Sequence, residues 1–341
     1  MKRRDFIKLA AASGSLLAMP SWGYYDEIAQ WKTFRFNYHV ALPEGADAKL
    51  WLPIPDSNDT LFQRNMGSVW SDGPTKASLF DPPKNPAALF FGEWPRTGSR
   101  DITVGTLIKT ANRRANLDIA SDGNVPREFR HYVTNQPAIV KKTAASIIQG
   151  KDSSLAKAKA IYDWVVTNTH YDASVPGCGT GDPAAWLEGA SLGGKSLDIA
   201  TLFVSLCSAS HIPARGAYGI LLKEGEHGKI DTEYHARAEF YLEGPGWVPV
   251  DPAEIQRVIQ EEGKSFADAG VAQLKEALFG SWKLNWIGLN HERNIALPNS
   301  GGHLPLFIYP RAEVGGKMLD GAELSYRIEV NEMVGTGIHF S

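Results

Sequence analysis

Cysteine is scarce in this chain: only Cys178 and Cys207 occur among 341 residues. Two thiols exclude a disulfide framework, although an oxidising compartment would allow them to pair. The nine histidines form no H-E-x-x-H pattern and no close Cys/His spacing, so neither a metal nor another cofactor is expected. A dominant charge is missing as well. Against 38 Asp+Glu stand 35 Lys+Arg, a net charge of −3, which excludes a general nucleic-acid or anionic-membrane surface. No internal repeat, no low-complexity tract and no second long apolar run follows the N-terminus, so no membrane span is expected in the mature body.

What is present begins with an export signal. Arg3-Arg4-Asp5-Phe6-Ile7-Lys8 matches the twin-arginine pattern, and Leu9 to Met19 is a short apolar stretch of small residues. The expectation is a signal peptide over 1–23, the Tat translocase as a partner during export, and a periplasmic or otherwise extracytoplasmic location. Hydrophobic residues make up 43% of the chain and include ten Trp and eleven Tyr, enough for two or three packed units with β-rich layers.

Periodicity divides the remainder. Phe34, Phe36, Tyr38, Val40 and Leu42 alternate as in a half-buried strand, and 48–54, 87–91 and 102–108 read similarly. Residues 27–115 therefore read as a β-sandwich-like domain. Helical spacing then appears over 138–149, opened by Pro137, and over 155–167, capped by Ser154. A Gly-rich loop over 175–195 leads to a strongly apolar helix from Ser196 to about Ala209. Strands are expected over 215–222, 235–242 and 247–250, a helical stretch over 254–278, and further strands to 330. The fold class is α+β: a core over 125–280, the β-rich domain before it, and a β-rich segment over 281–341 packing on either.

Gly189-Ala190-Ser191-Leu192-Gly193-Gly194-Lys195-Ser196 satisfies the P-loop expression letter for letter. A phosphate cradle needs an apolar strand entering that loop and a helix leaving it. Here the entering segment, 182–188, is short and broken by Pro183. Export also removes the chain from cytoplasmic nucleotides. A nucleotide binder remains a runner-up reading.

Ser196, His235 and Asp251 make a different constellation. Ser196 stands at a helix N-terminus, where unpaired N–H groups and the helix dipole favour a developing anion. His235 begins one strand, Asp251 ends the next, and Glu243-Gly244-Pro245-Gly246 would fold the two into a hairpin. That brings an imidazole between a hydroxyl nucleophile and an orienting carboxylate. Taken singly, Ser196 would be a helix cap, His235 a strand histidine and Asp251 a turn residue before Pro252. Asp198 reads as a support for the first helical turn.

The run Gly193-Gly194-Lys195-Ser196-Leu197-Asp198 through Leu202-Phe203-Val204, then His211-Ile212-Pro213-Ala214-Arg215, resembles the nucleophile helix of the transglutaminase-like superfamily. Tyr234-His235-Ala236-Arg237-Ala238-Glu239-Phe240-Tyr241 and Gly246-Trp247-Val248-Pro249-Val250-Asp251-Pro252 resemble its histidine and aspartate strands, and Ala160-Ile161-Tyr162-Asp163-Trp164-Val165 with Tyr171-Asp172 its leading helix. The resemblance spans about 155–252. It implies a papain-like core and acyl transfer at peptide or side-chain amides, by hydrolysis or crosslinking. Three positions depart from the family's pattern. Ser196 stands where cysteine is usual, Ser208 and His211 where arginine and glycine are common, and Arg237 where many relatives have tryptophan. A serine hydroxyl is not ionised by a helix dipole as a thiol is, so it needs general-base help.

Cys178, in the glycine-rich loop, is the rival nucleophile, and that loop is expected to be exposed. Tyr171, Trp186 and Trp247 are candidates for the groove wall or an oxyanion donor, with core packing as the alternative. The expected function is acyl transfer or hydrolysis on a peptide or protein by Ser196, His235 and Asp251. A non-catalytic module that grips peptides or cell-wall fragments in the same cleft is the competing class.

Overall fold

The computed structural model describes residues 31–333 apart from 57–59, 83, 97, 99, 226–228, 300 and 301. The expected export segment over 1–23 lies outside the described residues. Six strands come first: β1 (Lys32–Ala41), β2 (Ala48–Pro53), β3 (Gln63–Trp70), β4 (Lys76–Phe80), β5 (Leu89–Trp94) and β6 (Asp101–Thr110). On β1 the expected alternation buries Phe34, Phe36, Tyr38 and Val40 and turns Arg35 outward. β3 and β4 carry no such alternation, which is why they are invisible in the sequence.

A two-residue β7 (Arg113–Arg114) precedes the helices α1 (Ala138–Ile147) and α2 (Ser154–Asn168). Ser153, not Ser154, caps α2, its hydroxyl accepting from Ala156 N at 3.1 Å. Short β8 (His170–Tyr171), α3 (Pro183–Glu188) and β9 (Gly193–Gly194) then lead to α4 (Ser196–Ala209). The Pro183 that seemed to break this segment instead opens α3. Proline suits the first helical position, and Asp182 caps Ala184 N and Ala185 N, each at 3.1 Å.

Next come β10 (Ala214–Glu224), β11 (Ile230–Leu242) and β12 (Gly246–Val250), the expected hairpin. Two helices, α5 (Pro252–Glu262) and α6 (Ala269–Ala277), replace the single stretch, because Gly263 ends α5 in the left-handed region at φ 61°. The remaining strands are β13 (Ser281–Trp282), β14 (Trp286–Asn290), β15 (Ile295–Ala296), β16 (His303–Leu304), β17 (Arg311–Val314), β18 (Lys317–Leu319) and β19 (Ser325–Glu332).

The main sheet runs β14-β10-β11-β19-β1-β6-β3, with β12 also on β11. A second sheet, β18-β17-β2-β5-β4, packs on part of it. The C-terminal segment is thus shared: β17 and β18 extend the N-terminal sheet, while β19 lies between β1 and β11. Alternate residues of β10 and β11 (Tyr218, Ala236, Ala238 and Phe240) pack with α1, α2 and α4 in one core. Further along β10, Ile220 and Leu222 join Phe36, Leu50 and Phe90 in the other. The α+β class holds, with a β-rich N-terminal region whose strands continue into the sheet of the helical core.

Candidate active site

Among the described residues, one edge of β11 is paired at two places only. Ile230 pairs with Val330 of β19, and β12 takes over from Ala238 to Leu242. The N-terminus of α4 docks in the interval between them. There Ser196 Oγ accepts a hydrogen bond from Ala236 N at 3.1 Å, doing the work of a missing strand. The hydroxyl therefore lies one peptide unit from the Cα of His235. Both residues are buried, each at 4% exposure.

Asp251 follows the last residue of β12, which places its carboxylate beside β11. It accepts from His235 Nε2 at 3.0 and 3.1 Å, from Arg237 Nε at 2.8 Å, and from Glu254 N at 3.1 Å. Burial works against charge on this fully enclosed carboxyl. The adjoining His235 and Arg237 outweigh it and hold Asp251 below the ordinary carboxylate range. With Nε2–H committed to Asp251, Nδ1 is the nitrogen left to receive a proton. Among the described residues Nδ1 has no hydrogen-bond partner, and His235 and Ser196 share none. The structure thus brings Ser196, His235 and Asp251 to one locus, with the imidazole–carboxylate pair formed and the serine hydroxyl on a neighbouring backbone N–H.

Lys195, not Ser196, is the cap residue of α4, and Ser196 is the first helical residue. Asp198 does the capping: its Oδ2 accepts from Lys195 N at 3.1 Å. Its other oxygen accepts from Thr180 N at 2.8 Å and Gly181 N at 2.9 Å, stapling the glycine-rich loop to the helix. The support of the first turn was legible in the sequence; the bonds to Thr180 and Gly181 were not, since they join the helix to a loop with no local pattern. Leu197 N donates to Cys178 O at 2.9 Å, whereas the Ser196 N–H has no partner among the described residues. It is a free donor at the positive end of a helix.

The other candidates separate. Cys178 is not in an exposed loop but only 3% exposed, and burial pushes its thiol up to about 11, so it is no thiolate. Both cysteines are free and buried. Trp186 gives its indole N–H to Gly193 O at 3.0 Å, so it braces the approach to α4 rather than offering an oxyanion donor. Tyr171 is buried beside the site and donates to Glu233 Oε1 at 3.2 Å. Trp247 belongs elsewhere, among Phe129, Tyr132 and Tyr241 with Arg215 stacked 4.2 Å above it. The P-loop reading fails on topology. A helix, α3, enters the motif, and Gly193–Gly194 pair in parallel with His170–Tyr171, so no strand-to-helix phosphate cradle exists there.

A second buried charge cluster continues along β11. Glu239, with no exposure, pairs with Arg113 and with Arg215 at 2.6 Å, and His291 Nε2 lies 3.4 Å away. Arg237 and Glu239 stand on the same face as His235, a grouping the alternation predicts, but Arg113 is too distant in sequence to be read as a partner. No group of three or more metal-ligating side chains occurs among the described residues.

Residues 141–252 match the transglutaminase-like superfamily. An uncharacterized protein of Haemophilus influenzae is 32% identical over 355 aligned positions, covering 94% of this chain and 96% of that protein. The fold is similar to the crystal structure of a candidate cysteine protease from Cytophaga hutchinsonii, at 13% identity and a TM-score of 0.58, over 90% of this chain and 92% of that one. The periplasmic domain of TgpA from Pseudomonas aeruginosa is more distant, at 15% identity and a TM-score of 0.35, over 71% and 92%. The helical core is papain-like.

Proposed function

We propose that this chain, whose residues 141–252 match the transglutaminase-like superfamily, performs acyl transfer or hydrolysis at peptide or side-chain amides, with Ser196 in the position of the nucleophile. Ser196 Oγ attacks the amide carbonyl and its proton passes to His235 Nδ1. The negative charge on the carbonyl oxygen is met by the Ser196 N–H at the head of α4. The amine departs with the proton held by His235, and water or a second amine then resolves the acyl-serine. Asp251 fixes the ring through Nε2. The observation that carries this reading is the enclosed His235–Asp251 hydrogen-bonded pair, its carboxylate held ionised, set one peptide unit from the Ser196 hydroxyl. The twin-arginine pattern at Arg3-Arg4 supports an extracytoplasmic site of action, and no helix among the described residues is long and apolar enough to cross a membrane.

Active-site labelling tests it. A fluorophosphonate modifies Ser196 in the wild type and leaves Ser196→Ala unlabelled, and Ser196→Cys becomes reactive to iodoacetamide and turns over a peptide library at least as fast. Labelling of Cys178 instead, or turnover unchanged in Ser196→Ala, defeats the assignment. One observation favours a second reading: the Ser196 hydroxyl bonds to Ala236 N and not to the imidazole. In that reading the cleft binds an extended peptide without cleaving it, and Ser196→Ala binds peptides as the wild type does while neither shows turnover.

A further inference from the structure

A cavity of about 270 Å³ lies along the flank of α4, away from the locus of Ser196, His235 and Asp251, none of which lines it. Its floor is Thr201, Val204 and Ser205 of α4, its side is Arg215 of β10, and Glu292 and Arg293 stand at the segment after β14. Thr201 and Ser205 are each 6% exposed, yet among the described residues their hydroxyls have no hydrogen-bond partner. An unpartnered hydroxyl on a residue that lines a cavity is free to bond a ligand or water there.

The charges around the cavity do not cancel. Arg215 gives its Nε to Glu239 at 2.6 Å, lies 4.2 Å over Trp247 and hydrogen-bonds Tyr132, while no second carboxylate among the described residues pairs with it. Glu239 is already matched by Arg113 from behind. Arg293 is exposed and has no ion pair among the described residues, and Glu292 is the one carboxylate in the lining. The neighbouring His291 adds no positive charge, because burial and then Arg215 push its imidazole down to about 3. Two guanidinium groups thus face one carboxylate, an excess of one positive charge.

We propose that this cavity is a binding site for a small monocarboxylate of the size of one acylated amino acid, such as the last residue of a peptide. Arg215 and Arg293 clasp the carboxylate through paired N–H donors, Thr201 and Ser205 bond its polar groups, and Val204 packs against its side chain. The volume is at the small end of ligand pockets, which suits one residue and not an extended chain. The site goes beyond the acyl-transfer reading and does not depend on Ser196.

Isothermal titration of the full chain with N-acetylalanine and with its neutral amide tests the proposal. The expected result is saturable one-to-one binding of the acid, with the amide at least tenfold weaker. Arg293→Gln, a surface change that leaves the fold intact, weakens the acid at least tenfold, and Val204→Phe fills the cavity and abolishes binding. Ser196→Ala binds as the wild type does, so failure of the catalytic assignment leaves this result untouched. Equal binding of acid and amide, no saturable binding, an unaffected Arg293→Gln, or tighter binding of inorganic phosphate than of the acid overturns it.

Discussion

Glu239 keeps its charge at a fully buried position because Arg113 and Arg215 surround it. Burial alone would favour the neutral acid; these two cations outweigh it and hold the carboxyl far below its usual range. Glu239→Gln would leave both guanidinium groups facing a neutral amide in the interior. The expected cost is about 3–5 kcal/mol, read from urea unfolding. The same cluster sets an acid response. His291 titrates at about 3 when folded and near the ordinary histidine value of about 6.5 when unfolded. Below that ordinary value the unfolded chain takes a proton the folded one refuses, so stability falls with pH down to the folded value. Glu239 and Asp251, both depressed, contribute stability that is complete above the ordinary carboxylate range and lost below it. All three therefore weaken the fold on acidification. The unfolding free energy from urea titration should drop between pH 7 and pH 5 by up to about 1.4 kcal/mol per pH unit from His291, and His291→Gln should flatten that part of the curve.

Among the elements, α4 does most to organise the locus, and its two ends are unlike. The first turn is fixed by Asp198, which holds both Lys195 N and the loop at Thr180 and Gly181. At the last turn the chain leaves through His211 at φ 60°, a left-handed conformation that favours glycine, while Ser208 Oγ accepts from Thr134 N at 2.9 Å. His211→Gly should raise stability by about 1 kcal/mol, measured as a shift in the urea midpoint. Much at this scale was legible. The apolar run of α4, the hairpin of β11 and β12 and the alternation of β1 all follow from local periodicity, and so did the proximity of His235 and Asp251. The pairing of β11 with β19 was not, because it joins Ile230 to Val330 across 100 residues with no local signal. Nor was the burial of Cys178: glycines on both sides describe a pliable loop, whereas its enclosure comes from packing against Leu197 and the start of α4.

At the scale of the whole molecule, the sheet that carries His235 also carries β1, β3 and β6 from the N-terminal region and β19 from the C-terminal one. Ile220 and Leu222 bury themselves against Phe36, Leu50 and Phe90, and Arg113 reaches in from β7 to neutralise Glu239. A fragment of residues 125–280 would lose these partners, exposing apolar surface on β10 and leaving Glu239 short of a cation. It should fail to give a cooperative transition in calorimetry, while the full chain should melt in one step; two independent transitions in the full chain would contradict this continuity.

Asp251 serves two masters. The oxygen that steadies the imidazole belongs to the same group that starts α5 through Glu254 N. Anyone wishing to silence this locus without unravelling what comes after it must keep an acceptor there. Asparagine does so; alanine would disarm the ring and loosen a helix in one stroke, and its phenotype would be read wrongly as chemistry alone.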